Sequence, residues 1–223
     1  MRLKVSLFYD LEMAAMVKNL AETFLAFWTL AKDKPVSEQI LLWETLYAEP
    51  HRKIMTYEQN YNDLNVLWAE VFARYPAVVP NICNVSAGAK AAIAESVKKW
   101  ATVLGAAEPS GRHIVLVGRF ISNAWADVFE GEPTCFYALE LIPDIATLEL
   151  IVAHETAHTL HFELSDLPVD GTTVAETLLL EGLATMTSAV AVPGLSDEVY
   201  LWPGYETTTA RQRVDAWLAD CKA

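Results

Sequence analysis

Little in this chain suits disulfides, nucleic acid or a bilayer. It has three cysteines, Cys83, Cys135 and Cys221, an odd number and far apart. They make no disulfide framework, and a reducing, cytoplasmic setting suits them. Positive charge is scarce: 16 Lys and Arg stand against 29 Asp and Glu, for a net charge of −13. Nucleic-acid backbones and anionic membranes are therefore not expected as partners. The opening stretch, MRLKVSLFYDLEMAAM, carries Asp10 and Glu12 and has no small-residue cleavage site after an apolar run, so no signal peptide is expected. The most apolar early segment, LAETFLAFWTLA, is too short and too interrupted to cross a membrane. There are no internal repeats and no low-complexity tracts.

Core material, by contrast, is plentiful. Hydrophobic residues make up 53% of 223, with seven Trp, eight Phe and eight Tyr. That suits a folded chain with one full core, and no linker divides it. We therefore expect a single unit over 1–223, with a helical half over 1–105 and the strands and later helices over 110–223.

LKVSLF (3–8) reads as a first strand. Residues 10–31 read as a helix capped by Asp10, with Met13, Val17, Leu20, Phe24 and Trp28 at helical spacing. Lys32 to Pro35 ends it. Further helices are expected over 37–48, over 62–74 with Pro76 and Pro80 as the stop, and over 86–104 with Gly105 as the end signal. HIVLVGRF (113–120) and TCFYALEL (134–141) read as strands, and ISNAWADVFEGEP between them as a loop. Pro143-Asp144 opens a helix, a polar turn follows at 165–172, and a second helix runs to Pro193-Gly194. A last helix is expected over 206–220. Helices, a strand pair and helices again predict an α+β fold, mostly helical with a small antiparallel or mixed sheet.

Three of the five histidines fall within IVAHETAHTLHF (151–162). His154-Glu155-Thr156-Ala157-His158 is an HExxH pattern. Residues four apart lie about 6 Å apart along a helix and about 40° apart around it, so both imidazoles can meet one cation. Glu155 flanks the same face and suits the role of general base toward an activated water. The segment before it, ATLELIVA, is apolar, and unpartnered polar groups there would be costly. Zn2+ suits such donors, although two imidazoles and a carboxylate also hold iron. His161, seven residues after His154, is about 10 Å further along the axis and fits a dipole-favoured polar position near the helix end.

HETAH followed by Glu181-Gly182-Leu183-Ala184 resembles the gluzincin group of zinc peptidases, which includes thermolysin-like and aminopeptidase N-like enzymes. It resembles in particular a family of predicted bacterial zinc-dependent proteases of unknown substrate, over about residues 110–190. The resemblance implies a zincin-like domain, a peptide or protein substrate, and Glu181 as third ligand on the next helix, 23 positions after His158. The small residues Gly182 and Ala184 would let the two helices approach. Glu176, Asp170, His161 and Cys135 stay open as other donors. Cys135 is the ligand that peptide deformylases would imply, but Glu130-Gly131 is followed here by Glu-Pro-Thr-Cys and matches their motif poorly. Thr185 stands where thermolysin-like enzymes carry an Asp that orients a histidine. Tyr205 is the first candidate for stabilising an oxyanion, with Tyr200 and His113 behind it. TCFYALEL resembles the edge strand on which zincins bind substrate, and Ser122-Asn123-Ala124-Trp125 their Asn-Ala-aromatic run; Trp125 equally suits core packing. The function implied is hydrolysis of peptide bonds. A zincin-like metal- or peptide-binding domain without turnover is the alternative.

Overall fold

A computed structural model describes residues 17–61, 67–105, 107–109, 111–164 and 173–201. In chain order these form β1 (Val17–Asn19), α1 (Ala21–Ala31), α2 (Val36–Leu42), α3 (Arg52–Tyr61), α4 (Trp68–Leu104), β2 (Arg112–Leu116), β3 (Ala124–Phe129), β4 (Glu132–Ala138), α5 (Ile145–Leu164), α6 (Val174–Ala191) and α7 (Asp197–Leu201). The four strands make one mixed sheet in the order β1-β2-β4-β3, and the fold is α+β and mostly helical. The strand expected at 3–8 and the helix expected at 206–220 lie outside the described residues.

Aromatic residues build the N-terminal core. Phe24, Phe27, Trp28, Trp43, Tyr47, Phe72 and Tyr75 are all buried. Their rings meet mostly edge to face, as at Phe24–Tyr75 (4.9 Å) and Trp43–Tyr47 (4.8 Å), the geometry the ring quadrupole favours. Burying each such side chain contributes about 1.5–3 kcal/mol. The two phenols also fasten this core to the sheet. Tyr47 Oη donates to the Val117 carbonyl at 3.0 Å and accepts from its N–H at 2.8 Å, while Tyr75 Oη donates to the Gly118 carbonyl at 2.9 Å.

Three expectations need correction here. Val17 to Asn19 are a strand, not helix, because they pair in parallel with His113 to Val115. The entry of the helix at Ala21 is marked by Asn19, whose Oδ1 accepts from the Ala21 N–H; Asp10 lies outside the described residues. Pro76 and Pro80 do not stop a helix: α4 runs through both for 37 residues. Each proline removes an N–H and crowds the carbonyl four residues back, at about 3 kcal/mol. Burial of Val71, Phe72 and Tyr75 before them, and of Ile82, Val85, Ala89 and Ile93 after them, offsets that cost. The expected loop before Pro133 contains β3, which pairs antiparallel with β4 through a tight turn at Glu130 and Gly131, both at positive φ. The end signal at Gly105 is as expected, with φ of 63°.

Between α2 and α3 the chain stays helical through a wide turn at Trp43–Ala48 and a tight one at Glu49–His51. After β2, Phe120 takes a positive φ of 63°, unusual for an aromatic residue. The buried Glu140 carboxylate holds the segment by accepting from the Gly118 N–H at 2.8 Å and the Phe120 N–H at 3.1 Å.

Candidate metal centre

The helix α5 starts where Asp144 Oδ1 accepts from the Thr147 N–H at 2.7 Å. It packs against α4 and α6 and against β3 and β4 of the sheet. Leu148, Leu150, Ile151, Val152, Ala153, Glu155, Thr156 and Thr159 are buried along it. A helix apolar on nearly every side has to sit inside the fold, and that is where it is. α6 begins with a reciprocal cap: Glu176 N–H donates to Thr173 Oγ1, and Thr173 N–H donates to the Glu176 carboxylate. Leu180, Ala184, Ser188 and Ala191 form its buried side.

This packing brings His154, His158 and Glu181 together, with donor atoms within 4.8 Å of one another. His154 Nε2 and His158 Nε2 are 3.3 Å apart. Glu181 Oε2 is 3.2 Å from His154 Nε2, and its Oε1 is 3.7 Å from His158 Nε2. Four donors placed tetrahedrally at about 2.0–2.1 Å from an ion are separated by about 3.3 Å, so these spacings fit one small cation. The donor types, two imidazoles and a carboxylate, fit zinc.

Burial and the neighbouring carboxylates act in opposite directions on the two histidines. Burial lowers the His154 pKa, but the hydrogen bond to Glu181 and the charges of Glu155 and Glu181 outweigh it and raise the group overall. Burial, then His154, push His158 down to about 4. Glu181 is lowered, first by its hydrogen bond to His154. Glu155 is buried beside them, and burial raises its carboxyl to about 7, with His154 opposing and Glu181 adding.

The other candidates are placed elsewhere. Glu176 is used in the helix cap. Cys135 is buried in β4, where burial raises its thiol far above the ordinary value. His161 lies outside the cluster, its ring edge-on to Phe162. Tyr200 does not serve as an oxyanion donor: it is buried and its hydroxyl donates to the Val192 carbonyl and accepts from the Leu195 N–H. His113 is also buried, with Nδ1 2.9 Å from Tyr137 Oη, and burial lowers its pKa to about 4. Tyr205 and Asp170 lie outside the described residues.

Trp125 packs in the core, stacked on Phe136 at 4.9 Å and 8°. TCFYALEL is not an edge: β4 is flanked by β2 and β3, and β3 is the edge strand nearest α5. Gly182 does not mediate the approach of α6 to α5; a Cβ added there meets nothing within 4 Å, whereas Ala184 is buried. His154 Nδ1 has no hydrogen-bond partner among the described residues, in keeping with Thr185 standing where an acid would orient a histidine. Comparison with family models, curated proteins and solved structures finds no match.

Proposed function

We propose that this protein is a zinc-dependent peptidase of gluzincin type, acting on a peptide or protein. The observation that carries the reading is the triangle of His154 Nε2, His158 Nε2 and the Glu181 carboxylate, with sides of 3.2, 3.3 and 3.7 Å, beside a buried Glu155. His154, His158 and Glu181 would hold the ion. A zinc ion there makes a water nucleophilic near neutral pH and polarises a carbonyl.

The chain's own groups account for the proton traffic. Glu155 is buried next to His154, kept from bulk water and placed to accept a proton. It takes a proton from the attacking water as the new carbon–oxygen bond forms. It then gives that proton to the amine nitrogen as the carbon–nitrogen bond breaks, so the group returns to its starting state. Among the described residues β3 is an edge strand, the kind of strand on which an extended substrate can add by main-chain hydrogen bonds. An apolar cavity of about 230 Å³, lined by Trp100, Leu104, His158, Leu160, Leu180 and Leu183 among others, adjoins the cluster and suits a bulky apolar side chain.

The test pairs elemental analysis with hydrolysis of a broad peptide library, for the wild type and Glu155→Gln. The expected result is about one zinc per chain in both, with hydrolysis lowered by at least about 100-fold in the variant. A wild type without stoichiometric metal sinks the reading, and so does a variant as active as the wild type. Zinc in both proteins with hydrolysis in neither favours the metal-binding domain without turnover.

A further inference from the structure

The outer face of α6 plays no part in the cluster. Val174, Leu178, Leu179, Leu183, Met186 and Val190 are all exposed, between 48% and 78%. Ala175, Gly182 and Ala189 lie among them at seven-residue spacing. With 3.6 residues per turn these nine share one side of the helix, opposite Leu180, Ala184 and Ala191. Glu176 and Glu181 lie at the borders of this face, and no charged residue lies within it.

Two features decide what covers it. The helix is long and apolar enough to cross a membrane by length and composition alone. Its inner side, however, is packed on α4 and α5 and carries Glu181 toward the histidines, which a bilayer span would not permit. A lipid surface also suits it poorly: residues 173–201 contain Glu176, Glu181, Asp197 and Glu198 and no Lys or Arg. Gly182 is the second feature. A glycine inside a helix costs about 1 kcal/mol relative to alanine. Among the described residues nothing lies within 4 Å of a Cβ at this position, so no contact there explains the glycine.

We propose that a second copy of this chain packs on this face, α6 against α6, antiparallel about a two-fold axis passing at Gly182. That axis sets Leu178 against Met186, Val174 against Val190 and Ala175 against Ala189 of the other copy along the centre, with Leu179 against Thr185 and Leu183 against Glu181. At the crossing point Gly182 lets the two backbones approach. The six large side chains present on the order of 600 Å² of apolar surface, at the top of what a monomer leaves bare and near the roughly 800 Å² per partner of a standard interface. An isologous contact needs only this one patch. Each copy carries a charge of −13, so long-range repulsion opposes the dimer, and salt strengthens it. The contact does not depend on the peptidase reading, and it steadies the helix that presents Glu181.

Light scattering coupled to gel filtration tests it. The wild type, loaded at about 100 µM in about 0.5 M NaCl, is expected at twice the chain mass of 24.7 kDa. Met186→Glu places a carboxylate inside the face and is expected to weaken the dimer at least about 100-fold while leaving the far-ultraviolet circular dichroism unchanged. Gly182→Cys, in a Cys83→Ser/Cys221→Ser background, is expected to form an interchain disulfide on mild oxidation, because the axis brings the two positions within disulfide reach. A monomeric wild type overturns the proposal, whether residues after Leu201 or another protein then covers the face. So does a folded Met186→Glu that stays dimeric, a Gly182→Cys dimer that never cross-links, or a monomer that floats with phosphatidylcholine vesicles.

Discussion

Replacing Glu181 by Gln isolates the one donor that α6 supplies. The Glu181 side chain is 57% exposed and reaches across to two imidazoles that are nearly buried. Its hydrogen bond to His154 is worth less than about 1 kcal/mol at such exposure, so the metal-free variant should melt within a few degrees of the metal-free wild type. Zinc changes the comparison. Losing an ionised ligand costs about 3 kcal/mol, or about 100-fold in affinity. At a free zinc concentration of about 100 times the wild-type Kd, the wild type gains about 2.7 kcal/mol. The variant, at a concentration equal to its own weakened Kd, gains about 0.4 kcal/mol. For a chain of this size 1 kcal/mol moves Tm by about 2–4 °C, so the wild type rises by about 5–11 °C and the variant by about 1–2 °C. Scanning calorimetry in zinc-buffered solution, referenced to a chelator, reads this directly. Equal zinc-induced shifts in the two proteins would refute the assignment of Glu181, and no shift in either would refute the metal centre.

Two further outcomes follow from groups away from the cluster. Gly118→Ala sets a Cβ 3.0 Å from Glu140 Oε1, which the Phe120 N–H holds in place, and 3.4 Å from Glu58 Oε1. It should destabilise by about 1–3 kcal/mol, and a urea midpoint unchanged from wild type would contradict that packing. His113 ordinarily titrates at 6.5 but is lowered to about 4 in the fold, so the unfolded chain takes the proton first. Its contribution is therefore complete above pH 6.5 and is lost as pH falls toward 4, by about 3 kcal/mol at most. Glu140, raised to about 7 by burial, acts in the opposite direction: its contribution is present below pH 4.5 and is lost as pH rises through 7. The difference in stability between wild type and His113→Phe separates the two, and it should shrink by about 2–3 kcal/mol from pH 7 to pH 4.5. A difference independent of pH would show that His113 is not held neutral.

What was legible in the sequence was local. Two imidazoles four residues apart on an apolar helix need only helical geometry to converge, and they do so at 3.3 Å. Gly105, Asp144 and the stop near Pro193 act through their own backbone or cap and were equally readable. What was not legible depended on partners distant in the chain. Pro76 and Pro80 read as a stop because the loss of an N–H is local, while the aromatic packing that offsets it is tertiary. β1 is three residues long and exists through pairing with β2, 96 positions later at Val17–His113. β3 has one strongly β-branched residue, Val128, and is drawn into the sheet by the tight turn at Glu130 and Gly131. Gly182 was read as a spacer between α6 and α5 although it faces away from α5, because spacing alone does not say which side of α6 faces inward.

The two helices of the cluster are held very differently, and this bears on how the centre works. α5 is buried between α4, α6 and the sheet, so His154, Glu155 and His158 have positions set by the main core. α6 buries only Leu180, Ala184, Ser188 and Ala191, three of them small, and so contributes little apolar burial of its own. By that measure α6 is held far less firmly than α5. An ion bridging Glu181 to the histidines would add a strong tie where packing is thin, and a second copy on the outer face would add another. Each tie orders the same helix, so each should strengthen the other: zinc should tighten the dimer, and the dimer should tighten zinc by the same factor. Sedimentation of the wild type with chelator and with saturating zinc measures one side of that equality, and zinc titration of Met186→Glu against wild type measures the other. Zinc affinity unchanged by dimerisation would mean that α6 is already fully ordered by its four inward residues, and that the two contacts on its opposite faces act independently.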